Sequence, residues 1–126
     1  MQKRIYYHDT DSGGVVYYAA YLHHLEEGRF EFCRNRGVHL AKLADEGMSF
    51  PAVHVEVEYK SPARYGDLID IYTDLEKIGN SSVHFFQEIK RGETLLVVSR
   101  TVWACIGRDY SSRPVPEELR KALTEG

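Results

Sequence analysis

The sequence predicts an α+β fold in which one antiparallel sheet wraps around a single long helix. Three observations carry this. Apolar residues recur at helical spacing over one long stretch, residues 17–36. Most of the remaining chain alternates with period two and is broken by short glycine turns. A glycine, Gly28, sits mid-helix on or near the apolar stripe, where it costs about 1 kcal/mol against alanine. Something must pack closely there, and a curved sheet laid on the helix would do so. One apolar helix and one sheet bury each other most economically in that way.

The elements follow in order. Residues 2–7 alternate Lys3, Ile5 and Tyr7 against Arg4 and Tyr6, which predicts a first strand. Residues 9–14 form a loop. In the helix, Tyr18, Tyr21, Leu22, Leu25, Phe32 and Cys33 fall on one face, with His24, Glu27, Glu31 and Arg34 mostly on others. Gly37 ends it as a C′ residue. A short helix is expected over 38–46, with Leu40 and Leu43 inward and Gly47 closing it. Residues 52–60 set Val53, Val55, Val57 and Tyr59 against His54, Glu56, Glu58 and Lys60, the pattern of a half-buried strand. Ser61-Pro62-Ala63 breaks it. Strands over 68–75, 83–90 and 94–106 follow, joined by turns at 78–80 and 91–92, and with 52–60 they are expected to make an antiparallel meander of four long strands. A last short helix is expected over 116–123, after Pro114 and Pro116.

The 126 residues read as one domain, 1–126, able to bury a core without staples. A formal net charge of −3 argues against a general nucleic-acid binder. Cys33 and Cys105 both lie in apolar patterns and read as buried thiols rather than a disulfide or zinc site. The start of the chain is polar and strand-like, and no apolar run approaches the roughly 18 residues needed to span a bilayer. A cytoplasmic location is expected. Aromatic residues make up 12% of the chain, which suggests an aromatic core layer or a wide buried interface.

The chemistry concentrates in Tyr7-His-Asp-Thr-Asp11-Ser-Gly-Gly14-Val-Val-Tyr-Tyr18. Here acidic side chains and two glycines lead into the long helix. The start of a helix offers unpaired N–H donors and a positive partial charge. Such donors can hold a developing oxyanion while a nearby carboxylate acts as base or nucleophile. The same pattern also suits a capped loop, with Asp11 or Ser12 as helix cap. Adjacent His23 and His24 point about 100° apart on a helix and do not readily share a metal ion, so no metal site is expected. No G-x-S-x-G elbow and no glycine-rich nucleotide signature follows a strand.

The run Asp9-Thr10-Asp11-Ser12-Gly13-Gly14-Val15-Val16-Tyr17, the Tyr21-Leu22 pair and the block Val57-Glu58-Tyr59-Lys60-Ser61-Pro62-Ala63-Arg64-Tyr65-Gly66-Asp67 resemble the hot-dog-fold acyl-CoA thioesterases. The nearest branches are the YbgC-type and the hydroxybenzoyl-CoA thioesterases. The resemblance runs from Arg4 to about Pro116. It implies hydrolysis of a thioester of coenzyme A or acyl carrier protein to a free acid and a thiol. It implies no separate cofactor, since coenzyme A is part of the substrate. It also implies a homo-oligomer, at least a dimer and commonly a dimer of dimers, with sites at the interface.

Residue by residue, Asp11 matches the family's catalytic aspartate, and Tyr7 an active-site tyrosine of the YbgC branch. The amides near Tyr17 and Tyr18 match the carbonyl-polarising position. Gly14 and Val15 belong to the same binding loop. Tyr18 stands where the YbgC branch has histidine and the hydroxybenzoyl branch tyrosine. Asp9 reads as structural. Arg64 and Lys77, with Arg108 and Arg113, are candidate contacts for the coenzyme A phosphates; the hydroxybenzoyl branch's basic hairpin is reduced here to Lys77. Glu26 is an alternative carboxylate. A non-enzymatic acyl-CoA-binding or scaffold protein and a hot-dog hydratase or dehydratase stay open as other readings.

Overall fold

The computed structural model describes residues 1–125. Its elements are β1 (Gln2–Arg4), a 3-10 turn (Tyr7–Asp9), α1 (Ala20–Asn35), α2 (Leu40–Asp45), β2 (Ala52–Tyr59), β3 (Leu68–Ile78), β4 (Ser82–Arg91), β5 (Thr94–Ala104) and α3 (Glu117–Glu125). The five strands form one antiparallel sheet in the order β1-β3-β4-β5-β2. The expected sheet around one long helix is therefore present.

The wrapping is tight at Gly28. A Cβ there would stand 2.6 Å from Ile71 Cγ2 and 2.9 Å from Gln87 Nε2. Only glycine lets α1 approach β3 and β4 that closely. The core falls into two parts. Ile5, Val16, Tyr21, Leu25, Ile69, Ile89 and Val97 pack at the end where α1 begins. Phe32, Cys33, Phe85, Trp103, Leu119 and Leu123 pack at the other. A buried polar belt separates them. Arg29 Nη1 donates to Gln87 Oε1 (3.0 Å) and Thr101 Oγ1 (3.3 Å), and Gln87 Nε2 donates to the Leu25 carbonyl (2.9 Å).

Several expectations need correction. The first strand stops at Arg4 rather than Tyr7. The Asp9 carboxylate takes the Tyr6 N–H at 2.8 Å and folds the chain into the 3-10 turn. The long strands are not a four-strand meander. Only β3-β4-β5 are sequential neighbours; β2 lies against β5, at the far edge from β1. The break after Tyr59 lets the chain cross from one edge to the other. Nor is β2 half-buried in the single chain, for Val53 and Val55 are exposed.

Of the expected helical stripe, Tyr18 falls before α1 and is exposed, as is Leu22 on it, while His24 and Arg29 of α1 are buried. The sheet covers more of the helix than its apolar stripe. The aromatic core layer is made by Phe32, Phe85 and Trp103, with ring centroids 5.9 Å and 4.6 Å apart along that series, and not by the tyrosines: Tyr21 is buried, whereas the other eight are exposed. Both cysteines are buried and free. Burial pushes the Cys33 thiol up to about 12, which makes it inert.

Candidate active site

The acidic loop is built by hydrogen bonds among its own residues. Asp11 N–H donates to Val15 O (2.9 Å), and Gly14 N–H donates to Asp11 O (3.1 Å). Gly14 is left-handed at φ +81°, a conformation that favours glycine. Asp11 Oδ1 accepts the Gly13 N–H at 2.8 Å, and its Oδ2 has no hydrogen-bond partner among the described residues. The carboxylate is exposed. Asp11 therefore caps its own turn and not α1, which begins at Ala20. No side chain caps that helix.

The loop is then pinned on both sides. Val16 N–H donates to Ala63 O (2.9 Å), and Val15 bridges to Arg64. Asp9 is buried and structural, as expected: its carboxylate holds Tyr6, and its carbonyl accepts the Tyr17 N–H at 2.8 Å. Buried His24 lies beside it, Nε2 at 3.4 Å from Asp9 Oδ1. Burial pushes the His24 imidazole below its ordinary value of 6.5; Lys3 adds to this, while Asp9 and Glu27 oppose it.

These bonds decide which amides are open. Tyr17 N–H is consumed by Asp9. The first turn of the helix is 3-10-like, with Ala20 N–H on Tyr17 O (2.8 Å) and Leu22 N–H on Ala19 O (3.1 Å). Among the described residues, the N–H groups of Tyr18 and Ala19 have no acceptor. The Tyr21 N–H has no acceptor there either, so the open amides at the helix entrance are those of Tyr18, Ala19 and Tyr21, and that of Tyr17 is not among them. Ala19 carries no side-chain signal that sequence reasoning could have used.

Tyr18, Tyr21, Tyr59, Val16, Lys60, Ser61 and Pro62 line a cleft of about 250 Å³ beside these amides. Its walls are mostly apolar. Tyr21 Oη accepts the Ala63 N–H at 3.0 Å, and Tyr59 Oη donates to Tyr18 O at 3.0 Å. Tyr7 is exposed and meets Tyr65 edge-on, with ring centroids 5.8 Å apart.

Of the basic residues, Arg64 adjoins the loop and is exposed. Arg108 and Arg113 are tied elsewhere, to the Asp45 carbonyl and to Asp109. Lys77 is near the other end of β3 from Leu68, on the order of 30 Å away at about 3.3 Å per residue. The single chain does not bring it to the loop. Glu26 is exposed and faces a separate cavity of about 390 Å³, with Arg29, Phe30, Phe50 and Trp103.

The family model of the thioesterase-like superfamily matches residues 6–123. The chain is 36% identical to the acyl-CoA thioester hydrolase YbgC of Escherichia coli over 82% of this chain and 78% of that one. It is 31% identical to the acyl-CoA thioesterase YbgC of Haemophilus influenzae over 95% and 90%. Among solved structures, a probable thioesterase from Bartonella henselae superposes with a TM-score of 0.88 at 33% identity, over 92% of this chain and 97% of that one. The chain belongs to the thioesterase-like superfamily and has its hot-dog fold.

Proposed function

We propose that this protein is an acyl-CoA thioesterase that works through Asp11 and the amides at the start of α1. One observation carries the reading. A carboxylate with a free oxygen is fixed, through the Val15–Val16 segment, to a helix whose Tyr18 and Ala19 N–H groups are unpaired and whose end no side chain caps. Those donors suit the oxygen of a thioester carbonyl, which gains negative charge in the transition state. Asp11 Oδ2 takes a proton from water as the water attacks the carbonyl carbon. The C–S bond then breaks, and the departing thiolate collects a proton. Attack by Asp11 itself would instead give a mixed anhydride that water opens; the same carboxylate position serves both routes.

Gly14, Val15 and Tyr17 shape the loop around the acyl thioester, and Tyr7 borders it. Arg64 meets the coenzyme A phosphates, and Lys77 joins them only from a second copy. That copy is supplied by pairing at β2. The strand is an open edge with exposed valines, an arrangement that proteins cover or blunt. The assembly is at least a dimer, acting in the cytoplasm. Thiol release from a panel of aliphatic and aromatic acyl-CoA thioesters tests the activity. Ligand-raised melting without turnover on any of them would make the protein a binder instead.

A further inference from the structure

Tyr59 lies 41 residues from Tyr18 in sequence, yet its phenol donates to the Tyr18 carbonyl at 3.0 Å. That carbonyl and the Ala19 N–H are the two ends of one planar peptide. A donor on the oxygen fixes the plane and draws electron density from the nitrogen side, which strengthens the N–H as a donor. No other hydrogen bond reaches Tyr18 O among the described residues. The ring is held as well. It stacks at a tilt on Tyr21, centroids 5.6 Å apart, and meets Tyr18 edge-on at 6.4 Å. Tyr21 is itself locked by the Ala63 N–H. Burial and the neighbouring Tyr18 raise the Tyr59 phenol above 10, so it stays a donor throughout the neutral range.

We propose that Tyr59 is a positioning residue for the reaction, holding and polarising the Tyr18–Ala19 peptide so that its N–H is set toward the thioester oxygen. The inference rests on the reading of Asp11 and these amides given above. It gives β2 a part in the chemistry beyond that of a sheet edge.

The test is Tyr59→Phe, which removes one oxygen and keeps the ring contacts. A direct oxyanion donor is worth about 10²–10³-fold. A group acting behind the donor should cost less, about tenfold in kcat, with KM within about twofold. The Ala19 amide proton should move upfield in the NMR spectrum, because the carbonyl of its peptide has lost a donor. Assembly by light scattering should be unchanged. Wild-type kcat in Tyr59→Phe overturns the inference, as does a loss traced to raised KM or to dissociation. Asp11→Asn is assayed in parallel. If it stays active, the reading of Asp11 fails whatever Tyr59 does. If it is inactive while Tyr59→Phe turns over normally, only the positioning role fails.

Discussion

Asp11→Asn separates chemistry from architecture at the loop. Asparagine keeps an oxygen where Asp11 Oδ1 accepts the Gly13 N–H at 2.8 Å. The main-chain bonds to Val15 and Gly14 do not involve the side chain. The residue is exposed, so folding stability should stay within about 0.5 kcal/mol of wild type. What disappears is the negative charge and the basic Oδ2. Loss of a positioned acid–base group typically costs about 10²–10⁴-fold. The lower bound corresponds to about 2.7 kcal/mol of transition-state stabilisation. The assay is release of free thiol from an acyl-CoA at saturating substrate, with the melting temperature measured on the same sample. A folded Asp11→Asn enzyme within threefold of wild-type kcat would refute the reasoning. The chemistry would then have to be sought at Glu26, in its separate cavity.

Tyr18→Phe should keep activity within about tenfold, because the proposed mechanism uses the backbone N–H rather than the phenol; a dead but folded and assembled variant would make the phenol an acid or base. Stability should fall as pH drops below 6.5. The folded chain holds His24 neutral by burial, so its imidazole lies below the ordinary value and the unfolded chain binds the proton first. Melting temperatures between pH 7.5 and 5.5 should therefore slope less in His24→Phe than in wild type, and equal slopes would contradict this. Light scattering at micromolar concentration should find at least a dimer, since β2 leaves its outer edge and its valines uncovered; an active monomer would rule out a site completed by a second copy.

The strands were legible from period-two alternation and the turns from their glycines. Gly37 and Gly47 do end helices with positive φ, at +79° and +91°. Gly28 correctly announced a close helix–sheet contact. Alternation, however, reports which face a residue is on and not which strand lies beside it. The pairing of β2 with β5 was therefore invisible. The stripe on α1 misjudged His24 and gave no sign that Arg29 is buried, because a curved sheet covers a wide arc of helix and supplies Arg29 with polar partners in Gln87 and Thr101. In the site, the Asp-x-Asp-Ser-Gly-Gly run marked the loop and the separate standing of Asp9. That Asp9 occupies the Tyr17 amide, and that Tyr59 reaches Tyr18, depends on contacts across the fold that no local pattern encodes.

The bare start of α1 has a consequence for engineering. A side-chain oxygen at a helix entrance typically contributes about 1 kcal/mol, and this chain forgoes it. Tyr17, whose carbonyl already accepts the Ala20 N–H, stands where aspartate or serine could reach the Ala19 amide. A screen for heat-resistant variants would be drawn to that position. In the proposed mechanism the oxygen it selected would sit where the substrate carbonyl binds, so the hardiest protein would be one that inhibits itself.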